Sequence, residues 1–164
     1  MSKYNSAGLS DNYRVRRASL ADADALVAHR IGMFNDMGVE QDTTSVSARF
    51  RRWLFDALPS GVYRAWVVET GDGRIVGGAG ITIVPWPPGP TYLGDRLAFV
   101  YNLYTLPNHR SRGVGRLIMD AIHDWCRSAG ISSVALNASE DGRRLYESMG
   151  YHESPNPIMF LSLD

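Results

Sequence analysis

Residues 103–118 read Leu-Tyr-Thr-Leu-Pro-Asn-His-Arg-Ser-Arg-Gly-Val-Gly-Arg-Leu-Ile, and no other stretch constrains the fold as tightly. The run Arg96–Thr105 is rich in apolar and aromatic residues and predicts a buried strand. After the turn, apolar side chains recur at Val114, Leu117, Ile118, Ala121, Ile122, Trp125 and Cys126, steps of three and four that predict a helix with one buried face. A strand therefore passes into a helix through a short basic turn. The first amides of that helix have no partner in the helix and together carry roughly half a positive charge. Gly113 and Gly115 let a ligand approach this backbone, and Arg110, Arg112 and Arg116 surround it with positive charge. The join is predicted to bind an anion, and a pyrophosphate suits it.

The rest of the chain supplies a frame for that join. Residues 1 to 12 are small, polar and without period, and predict a frayed tail. Residues 13–17 alternate as a first strand. Ser19 with Asp22 forms an aspartate variant of a capping box, and a helix follows with Ala23, Leu26, Val27, Ile31 and Phe34 on its buried face. Arg30, Met33 and Met37 share a different face of it before Gly38. A second helix is expected over 44–58, with Arg49, Arg51 and Arg52 solvated. Residues 63–69 and 74–84 predict a hairpin about Gly71-Asp72-Gly73, and Gly77, Gly78 and Gly80 suggest a bulge or close backbone packing in its second strand. The run Pro85-Trp86-Pro87-Pro88-Gly89-Pro90 must be a stiff surface loop. Beyond the central helix, Gly130 ends it and 132–138 supplies a strand. Ser139 caps a further helix ended by Gly150, with Glu140 and Asp141 favouring its dipole, and 158–163 alternates as a last strand.

Composition removes several function classes. The 164 residues suit one domain, 13–164 after the tail. Seventeen basic and seventeen acidic residues cancel, against a general binder of nucleic acid or anionic membrane. The four histidines lack zinc-ligand spacing, so no metal is expected. Cys126 is alone, which excludes an internal disulfide, and it belongs to the apolar stripe of its helix as a core thiol rather than a nucleophile. No apolar run reaches the length of a membrane span and no signal pattern opens the chain; a cytoplasmic protein is expected.

The order Arg110-x-x-Gly113-x-Gly115 after a strand resembles the acyl-CoA-binding motif of the GNAT family of N-acetyltransferases. Leu145-Tyr146-x-x-x-Gly150-Tyr151, one helix and one strand later, resembles the Leu-Tyr-x-x-x-Gly-Phe ending of the same family. The resemblance extends over about residues 13 to 163. It implies an α/β (α+β) acyl-CoA N-acyltransferase fold, a mixed and mostly antiparallel sheet of about six or seven strands with about four flanking helices, whose central strand splays from the strand beginning near Ser132. It implies acetyl-CoA as co-substrate, with the pyrophosphate on the amides of Arg110, Ser111, Arg112, Gly113, Val114, Gly115 and Arg116. The pantetheine arm would lie along Leu103, Tyr104 and Thr105, with Ser139 and Gly142 standing where many relatives have asparagine and alanine. Tyr146 is implied as the general acid that protonates the leaving thiolate, and Arg30, Met33, Met37 and Trp86 as acceptor-site residues. The activity implied is transfer of an acetyl group to a primary amine of a small molecule. No nucleic-acid or membrane partner is expected, and a homodimer is admitted.

No base follows from the sequence. The central strand holds no Asp or Glu, and Asp95, Asp36, Glu40 and His29 cannot be positioned from it. That gap keeps a second reading open, a non-catalytic acyl-CoA-binding sensor or module on the same fold. Two other phosphate-binding classes fail on pattern. A dinucleotide-binding turn needs a third glycine after Gly113 and Gly115, and a P-loop needs Gly-Lys-Ser/Thr.

Overall fold

The computed structural model describes residues 12–163, so of the tail expected over 1–12 only Asn12 falls among the described residues. In chain order the elements are β1 (Arg14–Arg17), α1 (Ala23–Asp36), α2 (Thr43–Ser60), β2 (Arg64–Glu69), β3 (Ile75–Pro85), β4 (Arg96–Thr105), α3 (Val114–Ser128), β5 (Val134–Leu136) and α4 (Glu140–Ser148). The strands form one sheet in sequence order. Neighbours from β1 to β4 are antiparallel, and β5 joins β4 in parallel.

Alternation along the strands builds two cores. On one face Val76, Ala79, Ile81, Ala98 and Val100 pack against Val114, Ile118, Met119 and Ile122 of α3, whose apolar stripe is the one its three-and-four spacing predicts. Cys126 belongs to this core. On the other face Ala65 and Val67 meet Leu26 and Val27 of α1 and Phe50, Leu54 and Ala57 of α2. The start of α1 is held as its sequence suggests, with the Ser19 amide donating to the Asp22 carboxylate at 2.8 Å. That carboxylate also receives two bonds from Arg16, which hold its pKa below the usual range.

The irregularity suggested by the β3 glycines is present in β3, where Val68 pairs with Gly77 and Glu69 with Ile75 so that Val76 is an extra residue, and a second one lies in β4. Gly78 pairs with Tyr104 and Gly80 with Tyr101, so Ala79 faces two residues, Asn102 and Leu103, and β4 carries the extra one. Asn102 sits at φ +60. The glycines also give the close backbone packing expected of them, since a Cβ on Gly78 would touch the Trp66 carbonyl at 2.9 Å, while one on Gly80 would land on the Tyr63 ring.

The sheet is shorter than expected. The strand expected over 132–138 is reduced to three residues, and 158–163 forms no strand, so five strands stand among the described residues instead of six or seven. Pro155 and Pro157 cannot donate to a ladder, and in the bend between them Ser154 Oγ accepts from the Asn156 amide at 3.3 Å. A strand needs a partner for its backbone, and 158–163 pairs with no strand among the described residues.

Because Tyr63 lies over Gly80 and also accepts a hydrogen bond from Asn102 Nδ2 at 3.1 Å, crowding Gly80 should disturb the bulge as well as the core. Gly80→Ala is expected to lower stability by about 1–3 kcal/mol. Urea unfolding of the variant beside the parent checks this, and an unchanged midpoint would show that the ring moves aside freely.

Candidate active site

After Val100 the central strands part. The parallel register joins only Ala98, Val100 and the residue between them to Val134–Leu136, so from Tyr101 to Thr105 β4 keeps β3 on one side and has no strand on the other. Main-chain groups on that open side can bond an extended ligand as a further strand would. At the end of the opening the chain turns into α3, with Ser111 at φ +57 and Gly113, the residue preceding the helix, at φ +81. Two left-handed residues so close together turn backbone N–H groups toward a common point, a known means of holding anions. No side chain caps α3, and its first described backbone bond runs from the Leu117 amide to the Gly113 carbonyl. The amides of Val114, Gly115 and Arg116 are thus free for a ligand.

A cleft of about 900 Å³ occupies this opening. It brings together Leu103, Tyr104 and Thr105 of β4, Arg110, Ser111, Gly113, Val114, Gly115 and Arg116 of the turn and helix, and Ser139 and Tyr146 of the last helical segment. Met33 and Met37 form part of the α1 side. Three residues singled out from the sequence do not line it. Arg112 is exposed, Trp86 stands 49% exposed on the loop after β3, and Arg30 donates to Asn102 Oδ1 at 2.6 Å. Leu145 and Gly142, both noted in the motif around Tyr146, line it too, as do His109 and Asp36, which carried no motif signal for this cleft, and Glu140 and Asp141, read from the sequence only as helix-start residues. A Cβ on Gly115 would come within 3.1 Å of Leu145, so the small residue lets α3 and α4 converge.

The charges of the turn are unequal in use. Arg110 forms an ion pair with Asp36 of α1 and donates from Nε to the Thr105 carbonyl at 3.0 Å, which binds the turn to both α1 and β4. Arg116 donates to Ser148 Oγ of α4. Among the carboxylates considered as bases, Asp36 reaches the cleft but is held by Arg110, and Asp95 and Glu40 are exposed elsewhere. His29 is buried, with Nδ1 lacking a hydrogen-bond partner, and desolvation pushes its pKa down to about 4, so the ring is neutral at pH 7.

Ser139 caps α4 by accepting the Gly142 amide at 3.2 Å, and one turn later the helix delivers Tyr146. The Tyr146 ring is 8% exposed and meets Tyr151 edge-on at 5.7 Å. Its burial pushes the phenol pKa up to about 12. The group therefore stays protonated through the neutral range and is available as a donor.

A model of the acetyltransferase (GNAT) family matches residues 30–151, and the chain belongs to that family. The crystal structure of a GCN5-related N-acetyltransferase from Ralstonia eutropha JMP134 superimposes with a TM-score of 0.81 at 32% identity, covering 91% of this chain and 98% of that one. A protein of Clostridium acetobutylicum, described as a predicted acetyltransferase with acetyl-CoA, gives a TM-score of 0.80 at 24% identity over 93% of this chain and 96% of its own, and supports the fold. In sequence the chain is 30% identical over 92 residues to "Probable N-acetyltransferase family 8 member 5" of Mus musculus, matching 54% of itself and 38% of that relative's length. No helix among the described residues is long and apolar enough to cross a membrane.

The burial of Tyr146 has a measurable consequence. A phenol with a folded-state pKa above the ordinary 10.0 contributes stability that is complete below pH 10 and is lost as pH rises toward 12. In ring-labelled protein, the signal removed by Tyr146→Phe is expected to remain that of a phenol at pH 10, where an exposed tyrosine is half ionised. A midpoint at 10 would show that water reaches the ring freely.

Proposed function

We propose that this chain transfers an acetyl group from acetyl-CoA to a primary amine of a small molecule, by direct attack within a ternary complex. The observation that carries the reading is the junction of three features in one cleft: the open side of β4, the uncapped start of α3 and the buried phenol of Tyr146. The diphosphate of CoA would lie on the amides of Gly113, Val114, Gly115 and Arg116, with Arg110, Ser111 and Arg116 beside it and Arg112 adding charge from outside. The pantetheine arm would pair with Leu103, Tyr104 and Thr105 as an extra strand, with Ser139 opposite. Hydrogen bonds from backbone amides are suited to both tasks because they are fixed in place before the ligand arrives.

In that arrangement a free β4 amide polarises the thioester carbonyl. The neutral amine forms a C–N bond to the carbonyl carbon, giving a tetrahedral oxyanion, and the amine's extra proton leaves to water. Collapse breaks the C–S bond, and the departing thiolate takes the Tyr146 proton. Met33 and Met37 are the proposed acceptor-side residues in the cleft, while Arg30 and Trp86 would act from its margin. The reaction suits a cytoplasmic setting, where acetyl-CoA is available. A second reading, a non-catalytic acyl-CoA-binding module, is favoured by one observation: the cleft carboxylate Asp36 is engaged by Arg110.

Screening an amine panel with acetyl-CoA, following release of free thiol, separates the two readings, since a module binds CoA without turnover. With a working acceptor, Tyr146→Phe is expected to lower kcat by about 10²–10⁴-fold while acetyl-CoA affinity and circular dichroism stay unchanged. The loss should shrink with an acyl donor whose leaving group is less basic. Wild-type turnover by the Phe variant, with chemistry rate-limiting, would mean that the proton comes from water.

A further inference from the structure

His109 ends the single tight turn over 107–109 that follows β4, two residues before the left-handed Ser111, and its side chain borders the cleft. Its backbone is held by the 2.8 Å bond from its own amide to the Leu106 carbonyl. Its ring is held as well. The Tyr13 hydroxyl lies 2.6 Å from Nδ1, and the two rings meet edge-on at 5.8 Å and 73°, across 96 positions of sequence. Tyr13 is itself packed against the core on the α3 side of the sheet. A half-buried imidazole at the rim of the anion-binding turn is thus fixed before any ligand arrives, and its second nitrogen, Nε2, has no hydrogen-bond partner among the described residues.

The bond to Tyr13 decides what Nε2 can do. A phenol hydroxyl has one hydrogen, that of Tyr13 has no other acceptor among the described residues, and an imidazole nitrogen accepts better than a phenol oxygen. The hydroxyl therefore donates to Nδ1, and the ring hydrogen stands on Nε2. This leaves one further donor in a cleft whose other free donors are the amides at the start of α3. The carboxylates of the lining do not take it: Asp36 is engaged by Arg110, while Glu140 and Asp141 sit at the start of α4 and neither bonds to the ring. An anionic oxygen suits such a donor best, because a hydrogen bond to a charged group is roughly twice as strong as one between neutral groups.

We propose that His109 donates Nε2–H to a phosphate oxygen of the bound acyl-CoA, and that Tyr13 is the positioning residue that fixes the donating tautomer. The inference rests on the acetyl-transfer reading for the source of its phosphate. Nuclear magnetic resonance of protein isotope-labelled at its histidine nitrogens tests it. The signals that His109→Gln removes are expected to show the hydrogen on Nε2, and this nitrogen to shift further when CoA saturates the protein. Tyr13→Phe, which keeps the ring and its packing, should abolish the tautomer preference and weaken CoA roughly threefold to tenfold by calorimetry. His109→Ala should weaken it about tenfold or more. His109→Gln, whose amide nitrogen reaches the Nε2 position, should recover most of the affinity, and His109→Asn, which is too short, should not. An equal loss for CoA and dephospho-CoA in His109→Ala puts the contact at the diphosphate, and a loss confined to CoA puts it at the 3′-phosphate. If His109→Ala does not fold, the tautomer and the Tyr13→Phe affinity decide alone.

Undiminished CoA affinity in a folded His109→Ala protein overturns the proposal. So does a ring with its hydrogen on Nδ1 in the CoA complex, or a Tyr13→Phe protein with the parent's tautomer and affinity. The acetyl-transfer reading fails separately. A parent that binds inorganic pyrophosphate with a shifted Nε2 signal, but no CoA, removes acyl-CoA as the source and keeps His109 as a phosphate donor, and a parent that binds neither overturns both.

Discussion

The cleft depends on the parting of β4 from β5, and that parting coincides with one extra residue in β4. Asn102 holds a left-handed backbone at φ +60, a conformation that costs about 1–3 kcal/mol in a residue other than glycine. Its side chain offsets this. Oδ1 accepts from Arg30 at 2.6 Å and Nδ2 donates to Tyr63 at 3.1 Å, and a bond from a charged donor contributes about 1.5–3 kcal/mol where a neutral one gives about 0.5–1.5. Both partners are anchored. Tyr63 is buried between α2 and the flat backbone at Gly80, and Arg30 lies over the rings of Phe34 and Phe50 at 4.9 and 4.8 Å. Arg30, singled out from the sequence for the acceptor site, therefore holds the strand whose open side faces the cleft.

A second consequence concerns where positive charge resides. Three arginines crowd the turn, yet Arg110 is engaged by Asp36 and by the Thr105 carbonyl, and Arg116 by Ser148. These contacts bind the turn to α1, β4 and α4. In the proposed reading anion binding falls chiefly to main-chain amides, whose direction is set by Ser111, Gly113 and the helix they precede. Amides fixed by secondary structure need no reordering on binding, so the site is organised in advance, whereas long side chains lose rotamer freedom on binding.

The features that follow from local pattern were legible in the chain. The three-and-four spacing from Val114 to Cys126 foretold both α3 and its buried thiol, Ser139 its role as cap, and the β-type run Arg96–Thr105 the central strand. What escaped were matters of long-range pairing. The β3 glycines pointed to the irregularity that β3 shows at Val76, but only the register reveals the further extra residue in β4. Whether alternation in 158–163 becomes a strand depends on a partner that no local pattern records. Trp86 carried an apolar surface in the sequence but is not among the residues that line the cleft, and Asp36 entered that lining through a helix end some 70 residues from the turn it holds.

The central claim is that backbone amides at the start of α3 and along the open side of β4 receive the acyl-CoA. Titrating amide-labelled protein with CoA and following each N–H by nuclear magnetic resonance tests it directly. The account predicts the largest shifts at Gly113, Val114, Gly115 and Arg116, with a second group at Leu103, Tyr104 and Thr105, and little change at β1 or at the Gly71–Gly73 turn. Saturable CoA binding that leaves the 113–116 amides unmoved would contradict it.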